Sequence, residues 1–96
     1  MDQSLKKKWV EALLSGKYKQ GDGALYDSWD RTYCCLGVLR SCAKRGDTRA
    51  RGFEELLNDE QLSEVGLTHA VQKKLATLND RGVPFDMIAG LIDEAL

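Results

Sequence analysis

Apolar residues at helical spacing, in stretches that each run into a glycine, constrain this chain more than any other feature. Leu5, Trp9, Ala12 and Leu13 recur at i, i+4, i+7 and i+8 within residues 2–15, and Gly16 follows where a left-handed C-terminal cap belongs. Cys35, Val38, Leu39 and Cys42 form the next stripe, over 34–45, with Leu36 beside it and Gly46 as the cap. Gly37 lies inside that stripe, where glycine costs up to ~1 kcal/mol relative to alanine. The usual reason for accepting that cost is the close approach of a neighbouring element. Asn58 and Gln61 read as a capping box ahead of Leu62 and Val65, and Gly66 stops that short helix. Thr68 caps a helix carrying Val71, Leu75 and Leu78. Asn79, Asp80, Arg81 and Gly82 then make a connection. Pro84 fits the first turn of a last helix, where its missing N–H is not needed. That helix is expected to bury Phe85, Ile88, Ala89 and Ile92, together with Leu91 and Leu96.

Two stretches break the helical period. In residues 17–33, Gly21 and Gly23 bracket Asp22 in a turn. Ala24 to Tyr26 and Arg31 to Tyr33 are short β-favouring runs joined by the polar Asp27-Ser28-Trp29-Asp30, which predicts a hairpin. Residues 46–57 read as a loop holding Arg49, Arg51, Gly52 and Phe53, with a short extended or helical piece. The predicted fold is therefore α+β: a mainly helical, compact single domain over 1–96, with about five helices and one small β-hairpin.

Length and charge bound the function. At 96 residues the chain fits one domain, whose core covers about 60–65% of the surface of the unfolded chain. A deep multi-substrate cleft is not expected. The net charge of −1 excludes a uniformly basic nucleic-acid binder. It conceals an asymmetry, because residues 1–51 carry a net +5 and residues 52–96 a net −6. Either the two halves attract each other across the fold, or the surface is bipolar, with one face suited to an acidic partner. Cys34, Cys35 and Cys42 are odd in number and two are adjacent, a poor disulfide framework. Free thiols in a reducing compartment are expected. Lys6 to Lys8 are followed by no apolar h-region, and no apolar run approaches the ~18 residues of a membrane span. These features predict a soluble cytoplasmic protein.

Three stretches carry a family resemblance: Trp9 to Gln20 (WVEALLSGKYKQ) with Gly21 and Leu25 behind it, Tyr33 to Leu39 (YCCLGVL), and Leu75 to Ile92 (LATLNDRGVPFDMIAGLI). Together they resemble a family of small proteins encoded by bacteriophages, prophages and some bacteria. In that family a tryptophan helix leads to S-G-x-Y-x-Q-G, a hairpin and Y-C-C-L-G-V-L, and the second half carries L-N-D-x-G-x-x-F-x-x-I-A-x-x-I. The resemblance spans most of the chain and supplies no catalytic residues. It implies a small accessory protein of viral or mobile-element origin, acting in the cytoplasm of a bacterial host. Pro84 stands where that family implies a serine helix cap.

The chemical readings divide on spacing. A zinc site from Cys34, Cys35, Cys42 and His69 lacks the C-x2–4-C pairs that present two sulfurs to one ion. Cys35 and Cys42 are two helical turns apart, about 10 Å, and read as core residues on one face. A Cys–His nucleophile has the right residue types in Cys34 or Cys35 with His69, and no spacing that joins them. Gly21-Asp22-Gly23 lacks the rest of a phosphate loop, and Asp22 would repel phosphate. Leu75 to Leu96 resembles half of a helix-turn-helix without a recognition helix, and lies in the acidic half. No catalytic residues, metal ligands or cofactor are therefore assigned.

The basic half supplies the candidate contact surface. Arg40 and Lys44 share a helix face, Arg45, Arg49 and Arg51 follow, and Trp29 sits in the hairpin loop with Tyr26 nearby. Trp, Tyr and Arg dominate binding energy at interfaces, and also suit stacking on single-stranded nucleic acid. Trp29 is open to two readings, an exposed anchor or a cover folded over the core. The leading expectation is a non-enzymatic interaction protein; the family resemblance implies one that binds a host protein or ribonucleoprotein complex, with inhibition of a bacterial defence system such as a CRISPR effector as its most concrete form. The second is a nucleic-acid or nucleotide-binding module using the same surface. Neither involves a membrane, and the oligomeric state is open.

Overall fold

Trp9 closes the architecture from its centre. It is fully buried, and its indole N–H donates to the Cys35 carbonyl at 2.9 Å, so the polar end of the ring is satisfied inside the core. The structure is a computed structural model and describes residues 1–43 and 55–96. In those residues the elements run α1 (Gln3–Leu14), β1 (Tyr26–Asp27), β2 (Thr32–Tyr33), α2 (Cys35–Ala43), α3 (Asp59–Val65), α4 (His69–Asp80) and α5 (Phe85–Ala95). Helix α1 packs on α5 and α2, α2 packs on α4, and α4 packs on α5. The four helices thus close a ring around Trp9, Leu36, Leu39, Ile88 and Ile92. The α+β, mainly helical architecture is as the sequence predicts. No helix among the described residues is long and apolar enough to cross a membrane.

The caps explain where the helices begin. The Asp2 carboxylate accepts from the Leu5 amide, and the Thr68 hydroxyl from the Val71 amide. Asn58 and Gln61 form the full reciprocal capping box, and Gly66 ends α3 in the left-handed conformation. Gly37 is a true close-approach site. A Cβ at this position would lie 1.8 Å from the Leu25 carbonyl oxygen, so only glycine lets α2 pass against the chain entering the hairpin.

Several boundaries differ from the sequence reading. The strands pair Tyr26 with Tyr33 and Asp27 with Thr32, so Asp27 belongs to a strand, Arg31 to the turn, and Ala24 and Leu25 to neither strand. Helix α4 continues through Asp80, because Asn79 is drawn inward by hydrogen bonds rather than left in the connection. Pro84 is the N-cap of α5 and not part of its first turn; its carbonyl accepts from Met87 and Ile88 while its own ψ is extended. Leu91 is 44% exposed, contrary to expectation, because it faces away from the ring of helices. Cys42 is only half-buried and packs against the rim of the core rather than inside it. The expected Gly46 cap and the piece around Arg49 to Phe53 lie outside the described residues.

Candidate partner-binding surface

The hairpin turn is built around one carboxylate. Asp27 Oδ1 accepts from the backbone amides of Trp29 (2.9 Å) and Asp30 (3.3 Å), folding residues 28–31 over the end of β1. Arg31 closes the turn at φ 56°, a left-handed conformation that costs a non-glycine residue about 1–2 kcal/mol. The result is that Trp29 stands out from the molecule with 92% of its surface exposed. This settles the open reading of Trp29: it does not cover the core.

Below the turn the hairpin is braced by aromatic rings. Tyr26 lies against Tyr33 with centroids 4.7 Å apart, and Tyr18 meets Tyr33 edge-on at 5.0 Å. The Tyr18 hydroxyl pairs with the Ser41 hydroxyl at 3.0 Å, which ties the cluster to α2. Tyr33 is also paired on its second side. Its amide donates to the Lys19 carbonyl and its carbonyl accepts from the Gly21 amide, both at 2.8 Å, so residues 19–21 run parallel to β2 as a third extended segment.

That segment is fixed by a side-chain network that the sequence reading did not find. Gln20 Nε2 donates to the Val83 carbonyl (2.8 Å) and to Asn79 Oδ1 (3.2 Å), while its Oε1 accepts from the Phe85 amide (3.0 Å). Gln20 therefore caps α5 from a distance, supplying the acceptor that Pro84 lacks as a side chain. Asn79 Nδ2 donates to the Gly21 carbonyl (2.8 Å), and its Oδ1 also accepts from the Cys35 amide at the start of α2 (3.1 Å). Two amide side chains thus lock the hairpin base, α2, α4 and α5 together. A third, Gln72, is buried and bonds both backbone groups of Leu57. Gln20 and Asn79 both lie in the stretches that carry the family resemblance, the one signal in the sequence that pointed to them.

The other sequence-predicted residues fare differently. Tyr26 is half-buried in the ring cluster beneath Trp29. Arg40 is also half-buried, and its Nη1 is enclosed without a hydrogen-bond partner among the described residues. It is therefore a partly enclosed cation and not a merely solvated one. Lys44, Arg45, Arg49 and Arg51 lie outside the described residues, so the basic patch is represented here by Arg40 alone. The basic half meets the acidic half where Lys6 Nζ donates to the Asp93 carbonyl at 2.9 Å.

The thiols point away from nucleophilic chemistry. Cys34 and Cys35 are buried, and desolvation pushes both thiols up, Cys35 the further. Cys42 is raised for the same reason, against a smaller opposing pull from Lys8. A catalytic or metal-binding thiolate needs the opposite shift. His69 is exposed and pairs with Asp59 at 2.6 Å, whereas Cys34 and Cys35 are buried. Among the described residues no three His, Cys, Asp or Glu side chains stand together as a metal site.

No curated protein and no solved structure matches this chain. Residues 1–62, which include α1, the Trp29 hairpin and α2, match the family model of a domain of unknown function, DUF8296, and the chain belongs to that family.

Proposed function

We propose that this is a non-enzymatic binding protein that engages a partner protein through the hairpin, with Trp29 as the anchor. The observation that carries the reading is the exposure of Trp29 on a turn held by Asp27 and braced by three tyrosines. A displayed, preorganised tryptophan loses little conformational freedom on binding. Covering its ring removes roughly 150–250 Å² of surface from water, a gross gain of about 4–6 kcal/mol. The aspartates at 27 and 30 beside Trp29 favour a protein pocket over a phosphate backbone. The raised thiols support the non-enzymatic part of the reading. In its most concrete form the protein is a phage-type accessory factor that binds and inhibits a host defence complex, such as a CRISPR effector. That form draws on the sequence resemblance alone.

The test is a paired capture from bacterial lysate with the wild-type chain and Trp29→Ala, followed by mass spectrometry. A stoichiometric protein held by the wild type and lost with Trp29→Ala supports the proposal. A protein held equally by both removes Trp29 as the anchor. Nuclease-sensitive material in place of protein moves the function to nucleic-acid binding.

A further inference from the structure

The hairpin sheet has one filled edge and one open edge. Tyr33 spends both its amide and its carbonyl on the 19–21 side, through the bonds to Lys19 and Gly21. Neither group is therefore turned towards β1. The bonds on the β1 side come from its neighbours, with the Cys34 amide donating to the Leu25 carbonyl at 3.3 Å. Tyr26 and Tyr33 thus form a non-hydrogen-bonded pair of the antiparallel ladder. In such a pair the N–H and C=O groups of the two residues point away from each other. Those of Tyr26 leave the sheet along the outer side of β1.

No hydrogen bond among the described residues reaches the Tyr26 amide or carbonyl, and β1 is the outermost strand of the described sheet. A main-chain donor and acceptor side by side on an edge strand are a template for another extended chain. The molecule already shows the match on its opposite edge, where residues 19–21 take up the same two groups of Tyr33 at 2.8 Å each. The open edge runs directly into the displayed turn, with Trp29 three residues beyond Tyr26 and 92% exposed. Packing of the Tyr26 ring on Tyr33 holds the backbone that offers the pair. The edge selects extended backbone as its occupant. A helix has already bonded its own N–H and C=O groups internally, and a phosphate group accepts hydrogen bonds but donates none.

We propose that the partner protein adds an extended segment to the open edge of β1, making two main-chain hydrogen bonds with Tyr26 while Trp29 packs on the partner beside it. The inference rests on the reading of Trp29 as the anchor, and names the element of the partner that docks there. Tyr26 acts through its backbone, and its ring stays in the tyrosine cluster. The main-chain pair sets the direction of docking, and Trp29 supplies the apolar contact.

A change confined to the backbone tests this. Cys34 is a natural junction for chemical ligation, so a synthetic peptide of residues 1–33 with an N-methylated Tyr26 amide can be joined to residues 34–96. The methyl removes a donor that the fold does not use, and circular dichroism should show an unchanged melting temperature. Titration calorimetry uses the protein captured by the wild-type chain, purified after its identification by mass spectrometry. Its affinity for the methylated chain is expected to fall about 10-fold or more, from one lost main-chain bond and a methyl in the path of the incoming strand. Amide hydrogen exchange on the unmodified chain is the second measurement: Tyr26 exchanges freely alone and is protected in the complex. Unchanged affinity after methylation, an unprotected Tyr26 amide in the complex, or a methylated chain that fails to fold each overturns the edge pairing. Binding still lost with Trp29→Ala in those cases leaves the tryptophan anchor standing. Capture of no protein, or of one held equally by Trp29→Ala, overturns the anchor and the edge pairing together.

Discussion

Asn79→Ala is the substitution whose cost follows most directly from the structure. Asn79 is 1% exposed and makes three hydrogen bonds, to the Cys35 amide, the Gly21 carbonyl and Gln20 Nε2. Gln20 Nε2 retains its bond to the Val83 carbonyl, so its loss is small. The Cys35 amide and the Gly21 carbonyl are left without a partner, at about 1–3 kcal/mol each. Alanine returns about 0.5 kcal/mol of helix propensity in α4. The net loss is about 3 kcal/mol, a large share of the roughly 5–15 kcal/mol that holds a domain folded. For a domain of this size that lowers the melting temperature by about 12–24 °C. Urea denaturation followed by the fluorescence of Trp9, buried beside Cys35, reads the change directly. A loss below about 1 kcal/mol would refute the claim that Asn79 locks the hairpin base to α2.

Four further outcomes are expected. Gly37→Ala should destabilise by at least about 2 kcal/mol despite its better helix propensity, because the new methyl meets backbone at Leu25, and differential scanning calorimetry measures it. Trp9→Ala should cost at least about 3 kcal/mol while Trp29→Ala stays within about 0.5 kcal/mol, since one ring is fully buried and the other fully displayed; paired urea curves separate them. Thiol alkylation should modify Cys42 first, with Cys34 and Cys35 protected until the chain opens. Burial raises the folded thiols above their ordinary value of 9.0, so the thiol contribution to stability is intact below about pH 9 and is lost as pH rises beyond it, where the unfolded chain releases protons that the folded chain keeps. Urea midpoints taken across that range for the wild type and for a variant with both buried cysteines replaced by alanine should converge in slope only below pH 9.

The helices were legible because their signals are local. Periodicity, the Asn58–Gln61 box and Thr68 all act within one or two turns, and each sits where expected. The close approach at Gly37 was legible too, since a glycine inside an apolar stripe has few other reasons to be there. What the sequence hid is non-local. Asn79 and Asp80, followed by Arg81 and Gly82, have the composition of a turn, and only the distant Gly21 carbonyl and Cys35 amide explain why Asn79 stays helical and buried. Gln20 sits in a polar run with no β pattern, and becomes an extended segment because Tyr33 pairs with it. The one-residue shift in the hairpin has a similar source: Asp27 uses its side chain, not its backbone, to make the turn. At the candidate site, residue type alone singled out Trp29 and Tyr26, and whether Trp29 was displayed or folded inward depended on that turn geometry. The enclosure of the Arg40 tip was not legible, because helix spacing says which face a residue shares, not how deeply the neighbours surround it.

The central claim is that the displayed Trp29 anchors a protein partner while contributing nothing to the fold. Titration calorimetry of the partner captured by the wild type, repeated with Trp29→Ala, tests it most directly. The account predicts binding weakened about 30-fold or more, equivalent to about 2 kcal/mol, with an unchanged melting temperature. Equal affinity for the two proteins, or a loss of affinity matched by loss of the folded state, would contradict it.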